Sequence, residues 1–167
     1  MNELVRVENV SLPLPGEADA WALRNITWHI DRGAHHALMG GNGAGKSTLL
    51  RLLHGQCWPT EGRVLWNGPD GLEDAPLAGR AISALVSPAQ QENYQRQGWY
   101  ISGRELLLTG FDDTPLLYST TAAERQREAE DMARRLDALP LLEVCVPEMS
   151  QGQLRLLLLA RALLRRP

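Results

Sequence analysis

The sequence predicts an α/β fold, and three patterns in its 167 residues support that prediction. Segments that alternate apolar and polar residues, as strands do, dominate the first half of the chain. Apolar residues recur at helical spacing in the second half. A glycine-rich run at residues 40–48 joins a strand-like segment to a helical one, which is typical of an α/β core with a helical insertion.

The strand-like segments lie before residue 88. Residues 4–10 and 26–30 alternate apolar and polar side chains, and a loop containing Pro13, Pro15 and Gly16 separates them. Three shorter strand-like runs follow at residues 35–39, 62–68 and 82–86. We therefore expect the first half to be mostly strand around one helix.

Three segments of the sequence have helical periodicity. Apolar residues recur at helical spacing in residues 46–57, 104–110 and 122–139. Thr121 and Glu124 have the spacing of a capping box at the start of the last segment. Residues 89–98 are polar and lack both periodicities, so we expect a mobile connector between the two halves.

The glycine-rich run has the sequence of a phosphate-binding loop: Gly40, Gly41, Asn42, Gly43, Ala44, Gly45, Lys46, Ser47 and Thr48. Its glycines allow successive backbone N–H groups to turn toward phosphate oxygens. Lys46 supplies an ammonium for the outer phosphates, and the Ser47 hydroxyl is placed to bind Mg²⁺. The helix that follows adds the positive end of its dipole. A chance glycine-rich turn is the alternative, but the flanking strand and helix favour binding of a nucleoside triphosphate.

Composition excludes several classes of protein. With 44% apolar and 22% charged residues the chain is ordinary for a globular domain. A net charge of -3 gives no electrostatic basis for nonspecific nucleic-acid binding, so we expect no nucleic-acid partner. Cys57 and Cys145 lie far apart and outside any metal-ligand spacing, which predicts buried free thiols and fits a reducing cytosol.

The sequence predicts no direct contact with the membrane interior. Its first residues lack the apolar region of a secretory signal. The most apolar stretch, residues 154–164, contains Arg155 and Arg161 and is too short to span a bilayer. Any membrane role is therefore expected to be indirect.

Met149, Ser150, Gln151, Gly152 and Gln153 form a short segment before a predicted helix. The segment resembles the signature motif of ATP-binding cassette (ABC) ATPases, usually written L-S-G-G-Q, with Met149 for the leucine and Gln151 for the first glycine. An ordinary helix N-cap at Ser150 is the alternative interpretation. The position of the segment after a helical region favours the resemblance.

The resemblance extends over nearly the whole chain. It implies an α/β fold with a P-loop NTPase core, an antiparallel β subdomain and a helical subdomain, truncated before the Walker B strand. The β subdomain and P-loop core would occupy residues 1–88, the glutamine-containing connector and helical subdomain residues 89–149, and the signature motif with its helix residues 150–167. Residues 103–111 and 149–167 look most like the ModF/photorepair-type branch, and iron-siderophore importer cassettes share a similar stretch.

The resemblance also implies the ligands and one partner. In this family two cassettes meet head to tail, and the signature of one contacts the ATP in the phosphate loop of the other. Ser150, Gly152 and Gln153 would therefore act in trans, and no residue of this chain would catalyse hydrolysis of its own nucleotide. ATP and Mg²⁺ are the implied ligands.

Two further site residues follow from the family pattern. A glutamine after the strand at residues 82–86 contacts Mg²⁺ in the family; Gln90 is the candidate here, and Gln91 is the alternative. An aromatic residue before the phosphate loop stacks on adenine. Trp21 is available for that role, and plain packing of its ring is the other interpretation.

Some groups that family members use for hydrolysis are not found among these 167 residues. The family continues into a strand ending in Asp-Glu and later reaches a switch histidine. This sequence has no acidic residue after Glu148, and its four histidines all precede the signature. Because hydrolysis needs an oriented water, we expect nucleotide binding with little or no turnover by this chain alone. We also expect unpaired sheet positions that a longer cassette or a partner would fill.

Together these patterns predict an ATP-binding subunit that couples ATP binding and hydrolysis to dimer closure in a transporter, beside a membrane permease. We expect such a subunit to be cytoplasmic and to meet the inner face of the membrane through the permease. A non-hydrolysing regulatory module, a non-transport ABC protein and a P-loop kinase are the alternatives. The kinase leaves residues 150–153 unexplained, and the transported substrate cannot be predicted from this sequence.

Overall fold

The computed structural model describes residues 2–14, 16 and 20–166. These residues form two compact units, one within Met1–Leu85 and one within Val86–Pro167. Of the residues named above, Pro15 and Pro167 lie outside the described part of the chain. The first unit is built mainly from strands, and the second is built from helices.

The first unit contains a four-stranded sheet in the order β2-β1-β3-β4. Its strands are β1 (Glu3–Pro13), β2 (Trp21–Asp31), β3 (Glu61–Gly68) and β4 (Gly71–Glu73). All three strand pairs are antiparallel. This arrangement agrees with the antiparallel β subdomain that the sequence predicts.

The pairing of β1 with β2 is interrupted by bulges at two asparagines. Asn9 and Asn25 have φ values of 49° and 50°, a left-handed conformation that asparagine tolerates better than most residues. The Asn9 N–H donates to the Thr27 hydroxyl at 3.1 Å, and the Asn25 N–H donates to the Ser11 hydroxyl at 3.1 Å. Each bulge thus has its backbone donor satisfied by a side chain of the opposite strand.

Helix α1 (Lys46–Leu53) packs on this sheet and forms one core with it. The core consists of buried residues from three strands and the helix: Val5, Val7, Val10, Leu23, Leu49, Leu52, Leu53, Val64 and Trp66. The Trp66 indole N–H donates to the Leu53 carbonyl at 2.6 Å and so satisfies the end of α1. A second helix, α2 (Pro76–Ile82), follows β4.

The described residues of the second unit form four α-helices and three short 3-10 helices; the α-helices are α3 (Pro88–Gln97), α4 (Gly103–Leu108), α5 (Ala123–Arg135) and α6 (Gln151–Leu164). Helix α6 is central because it contacts α3, α4 and α5. The most buried side chains include Leu106, Leu107, Ala133, Leu154, Leu157 and Leu158. The prediction that the second half of the chain is mostly helix is confirmed.

Two predicted strands, at residues 35–39 and 82–86, are wrong. Residues 34–40 have no regular secondary structure and are exposed, with Met39 at 89%. Ile82 ends α2, and residues 83–87 are irregular. A strand needs a neighbour to pair its backbone groups, and among the described residues the one sheet contains neither segment. Apolar pattern alone therefore did not produce a strand at either place.

The predicted mobile connector at residues 89–98 is also wrong, because those residues belong almost entirely to α3. Ser87 caps the helix by accepting the Gln90 N–H at 3.2 Å, and Gly98 ends it in a left-handed conformation. The buried residues of α3 are Gln91 and Tyr94. Because one of these is polar, the helix has no apolar stripe for a sequence pattern to detect.

The other predicted helices are confirmed with different ends. The first ends at Leu53 instead of residue 57, and the third covers Ala123–Arg135 instead of residues 122–139. The capping box predicted from Thr121 and Glu124 does not form, because Ala122 is the N-cap and no side chain caps the helix. A left-handed residue, Asp137 with φ 53°, redirects the chain before the predicted end.

We predict that Trp66→Phe lowers the free energy of unfolding by about 1–3 kcal/mol, because it leaves the Leu53 carbonyl without its indole donor. Trp58→Phe is the matched control, since that side chain is 60% exposed. It should change the free energy of unfolding by less than about 0.5 kcal/mol. Urea unfolding followed by far-UV circular dichroism measures both, and equal effects of the two substitutions would contradict the role of the Trp66 hydrogen bond.

Candidate nucleotide-binding site

The loop at residues 40–48 depends on glycine conformations. Gly40, Gly43 and Gly45 have φ values of 156°, 81° and 81°, which side-chain-bearing residues rarely adopt. At Gly45 a Cβ would also overlap the carbonyl oxygen of Ala22 in β2. The start of α1 therefore lies directly against β2, and only glycine fits at that contact.

The N-terminus of α1 lacks an internal cap. Gly45 is the N-cap residue, no side chain accepts a hydrogen bond from the first turn, and that turn contains no acidic residue. At this end of α1, the Leu49 N–H donates a hydrogen bond to the Gly45 carbonyl at 2.8 Å, as the first i→i−4 bond of the helix. The earlier N–H groups are thus left for an external acceptor, and the helix dipole favours an anion there.

Lys46 places its charge inside the same loop. Its Nζ donates to the carbonyl oxygens of Gly40 at 2.8 Å and Gly41 at 2.6 Å. Both contacts are exposed to solvent, so phosphate oxygens can replace the carbonyl acceptors at little cost. The loop therefore combines a mobile ammonium with uncapped amides, which suits a polyphosphate.

Ser47 is the residue of the loop that fits a magnesium ion. It is exposed in the first turn of α1, beside the amides described above. Within residues 2–14, 16 and 20–166 no group of three or more His, Cys, Asp or Glu side chains is arranged to hold a metal. Mg²⁺ commonly binds through few protein ligands together with substrate phosphates. The donor set of a serine hydroxyl and a triphosphate fits that pattern.

Trp21 lies on the strand that borders the loop. It is the first residue of β2, its side chain is 38% exposed, and it pairs with Pro13 across the sheet. The next residue, Ala22, has the carbonyl that Gly45 packs against. The first unit thus places the candidate adenine-stacking residue on the strand that contacts the start of α1.

Ser150 forms the N-cap of α6. Its hydroxyl accepts the Gln153 N–H at 3.3 Å, and the Gln153 side chain accepts the Ser150 N–H at 2.8 Å, which completes a capping box. The interpretation of Ser150 as a helix N-cap is therefore confirmed. Residues 150–153 are all exposed, so the capped turn is accessible to another molecule.

Gly152 leaves open space in that turn. A Cβ at this position would meet no atom within 4 Å, and its φ is not in the left-handed region. Packing inside the described unit therefore does not require glycine there. Because glycine has no side chain, the surface of the first turn of α6 is unobstructed at this position.

The two candidate connector glutamines have different environments. Gln91 is 5% exposed, and its amide contacts the Gln151 carbonyl and Arg155. Gln90 is half-buried in the first turn of α3, where its N–H donates to Ser87. The amide of Gln91 is thus engaged within the helical unit.

The structure groups the predicted site residues by unit. The first unit contains the phosphate loop and Trp21, and the second contains the signature residues with Gln90 and Gln91. Sequence reasoning missed two supporting contacts, Gly45 against Ala22 and Gln91 against α6. The glycine at position 45 was visible in the sequence, but its partner across the sheet was not. The burial of Gln91 had no sequence signal.

One histidine and one cysteine of the first unit, His36 and Cys57, make contacts in sequence segments that flank the loop. The His36 ring meets the Trp28 ring edge-on at 5.0 Å. Cys57 and Cys145 are free and half-buried, and Cys57 Sγ lies 4.0 Å from the Thr48 carbonyl. Burial raises the pKa of the Cys57 thiol, with opposition from the charge of Arg51. Cys57 therefore stays protonated near neutral pH and is a poor nucleophile.

None of the helices in the described residues combines the length and the apolar composition that a membrane crossing requires.

Comparison with known proteins gives one family. The family profile described as "ABC transporter" matches residues 23–167. An uncharacterized ABC transporter ATP-binding protein, YmeB of Lactococcus lactis, is 31% identical over 146 residues, which cover 87% of this chain and 55% of the relative. The zinc uptake system ATP-binding protein ZurA of Listeria innocua is 30% identical over 168 residues, which cover 100% and 62%. The chain thus spans little more than half the length of these curated relatives.

Solved structures agree on the fold. The structure of cbiO1 from Clostridium perfringens, part of the ABC transporter complex cbiONQ, matches with a TM-score of 0.74 and 22% identity, covering 100% of this chain and 63% of that chain. The dimeric structure of MJ0796, a bacterial ABC transporter cassette, matches with a TM-score of 0.76 and 20% identity, covering 98% and 71%. The predicted α/β cassette fold is confirmed. The relatives are transporter ATP-binding proteins and do not support the ModF/photorepair-type branch.

We predict that Gly45→Ala destabilises the first unit more than Gly43→Ala does. Both positions have φ 81°, so both substitutions cost about 1–2 kcal/mol in a left-handed conformation. Only the Cβ at position 45 also meets the Ala22 carbonyl, whereas nothing lies within 4 Å at position 43. That overlap should add about 1–3 kcal/mol. Urea unfolding measures both variants, and equal losses would contradict the packing of α1 against β2.

Proposed function

This chain belongs to the ABC transporter family, and from that membership and its loop geometry we propose that it is the ATP-binding part of a transporter ATPase subunit. ATP with Mg²⁺ is the proposed ligand, held at residues 40–48. Binding and hydrolysis of ATP in the assembled transporter would be coupled to closure of a cassette dimer.

The observation that supports this proposal most directly is the uncapped first turn of α1 with the Lys46 ammonium beside it. The amides and the ammonium supply positive potential on one side of the loop. Ser47 would complete the contact to Mg²⁺, with Gln90 as a further candidate ligand. Trp21 would offer its exposed ring to the adenine.

A second cassette in a head-to-tail dimer is the proposed partner for α6. The exposed turn at residues 150–153 presents a capped helix N-terminus with open space at Gly152. Ser150, Gly152 and Gln153 would contact the nucleotide held by the partner's phosphate loop. A permease is the proposed membrane partner, which would place the subunit in the cytoplasm at the inner face of the membrane. Relatives include a zinc uptake system and a macrolide exporter, so the transported substrate is not assigned.

Three alternatives would also use the phosphate loop. A non-hydrolysing regulatory module would use it without turnover, and a non-transport ABC protein would use it without a permease. A P-loop kinase is disfavoured, since it gives no role to the turn at residues 150–153.

We predict that Lys46→Met weakens binding of Mg-ATP by at least about tenfold, because it removes the ammonium from the loop. Arg51→Met is the matched control, since Arg51 is an exposed cation in the last turn of the same helix. It should leave the affinity within about twofold. Isothermal calorimetry measures the affinities, and phosphate release from the same samples tests the expected lack of turnover. Equal affinities for Lys46→Met and the unsubstituted chain would contradict the proposed site.

We predict that Gly152→Asp weakens nucleotide-dependent dimerisation by about tenfold or more, since it fills the open turn and adds a negative charge facing phosphate. The affinity of the chain's own loop for Mg-ATP should not change. Gln95→Asp is the control, because it adds the same charge at an exposed position of α3 in the same unit. Sedimentation with a slowly hydrolysed ATP analogue gives the result. If the unsubstituted chain binds Mg-ATP without associating, the head-to-tail dimer is wrong for this chain.

A further inference from the structure

Gln91 is a buried polar side chain that contacts the first turn of α6. It is 5% exposed on the core side of α3. Its Nε2 donates to the Gln151 carbonyl at 2.9 Å, and its Oε1 accepts from the Arg155 Nε at 3.3 Å. One amide group thus connects α3 to two residues of α6.

The chemistry of the two partners determines how the amide is oriented. A backbone carbonyl only accepts hydrogen bonds, and a guanidinium only donates them. The amide must therefore point its NH₂ toward Gln151 and its oxygen toward Arg155. The opposite orientation would lose both bonds and leave a buried amide unsatisfied.

The two partners lie one helical turn apart. In an α-helix the carbonyl of residue 151 is also the acceptor for the N–H of residue 155, and a carbonyl has room for a second donor. Gln91 supplies that second donor from the buried side. On the exposed side the capping box of Ser150 and Gln153 ties down the same turn. The first turn of α6 is thus fixed from both sides.

Gln151 is the residue between Ser150 and Gly152 of the signature segment. Its own side chain is exposed, so the contact with Gln91 is made by its backbone. An apolar side chain of similar volume would fill the place of Gln91 without requiring any hydrogen bond. The amide differs from such a filler because its two bonds are directional, and they set the position of a backbone turn.

We propose that Gln91 is a positioning residue for the signature segment. Its amide fixes the first turn of α6 so that the N–H groups at that end meet the nucleotide of a second cassette. The proposal rests on the proposed head-to-tail dimer, and it gives Gln91 a role in the trans contact only. Binding of ATP in the chain's own loop is independent of it.

The test compares substitutions at Gln91 with a matched glutamine on the same helix. Gln91→Leu keeps the volume and removes both bonds, while Gln91→Glu can accept from Arg155 but cannot donate to the Gln151 carbonyl. Gln95→Leu is the control, because Gln95 is exposed on α3. Arg155→Met is a further variant. Because the Arg155 side chain is exposed, this variant should fold even if the substitutions at buried Gln91 prevent folding.

Three measurements are made on each variant: Mg-ATP affinity by calorimetry, nucleotide-dependent dimer dissociation by sedimentation, and amide hydrogen exchange in residues 150–155. We expect both Gln91 variants to weaken the dimer about tenfold and to exchange these amides about tenfold faster, with ATP affinity within about twofold. Arg155→Met should show a smaller change in the same direction. Gln95→Leu should match the unsubstituted chain.

The outcomes separate this proposal from the proposed function. If Gln91→Leu and Gln91→Glu leave both dimerisation and exchange unchanged, Gln91 is a packing residue and the proposal is overturned. It is equally overturned if they weaken ATP binding and dimerisation to the same degree. If the unsubstituted chain binds no Mg-ATP, the proposed function fails. If that chain binds Mg-ATP but does not dimerise, the trans role of Gln91 is overturned together with the head-to-tail dimer, while the phosphate-loop site stands.

Discussion

The close contact between Gly45 and the Ala22 carbonyl is the constraint on which the candidate site depends. It brings the first turn of α1 against β2 and fixes where the uncapped amides lie. Leu49, Leu52 and Leu53 can then enter the sheet core, and the Trp66 indole closes the other end of the helix. The helical end of the phosphate loop is thus held in place because the helix that follows it packs into the hydrophobic core.

The two helices proposed to contact nucleotide begin in different ways. Helix α1 starts at a glycine with no side-chain cap, so its amides are available to a ligand that approaches from solvent. Helix α6 starts at Ser150, whose hydroxyl is engaged with Gln153, and its turn is further held by Gln91. The difference suits one helix that binds its ligand directly and one that presents a preformed surface to a partner.

Local chemistry was predictable from the sequence, and pairing between distant segments was not. The loop glycines and the Ser150 cap were correctly identified because each depends on neighbours within a few residues. The strands expected at residues 35–39 and 82–86 were wrong because a strand also needs a partner, which no local pattern supplies. Helix α3 was missed because its buried side includes the amide of Gln91 instead of an aliphatic side chain.

The bulges at Asn9 and Asn25 have a consequence for the free side of the sheet. Strand β2 is at one end of the sheet order, so one row of its backbone groups faces away from β1. Bulges increase local twist and interrupt the regular spacing that an added strand would need. The eleven-residue edge formed by β2 is therefore a poor template for aggregation.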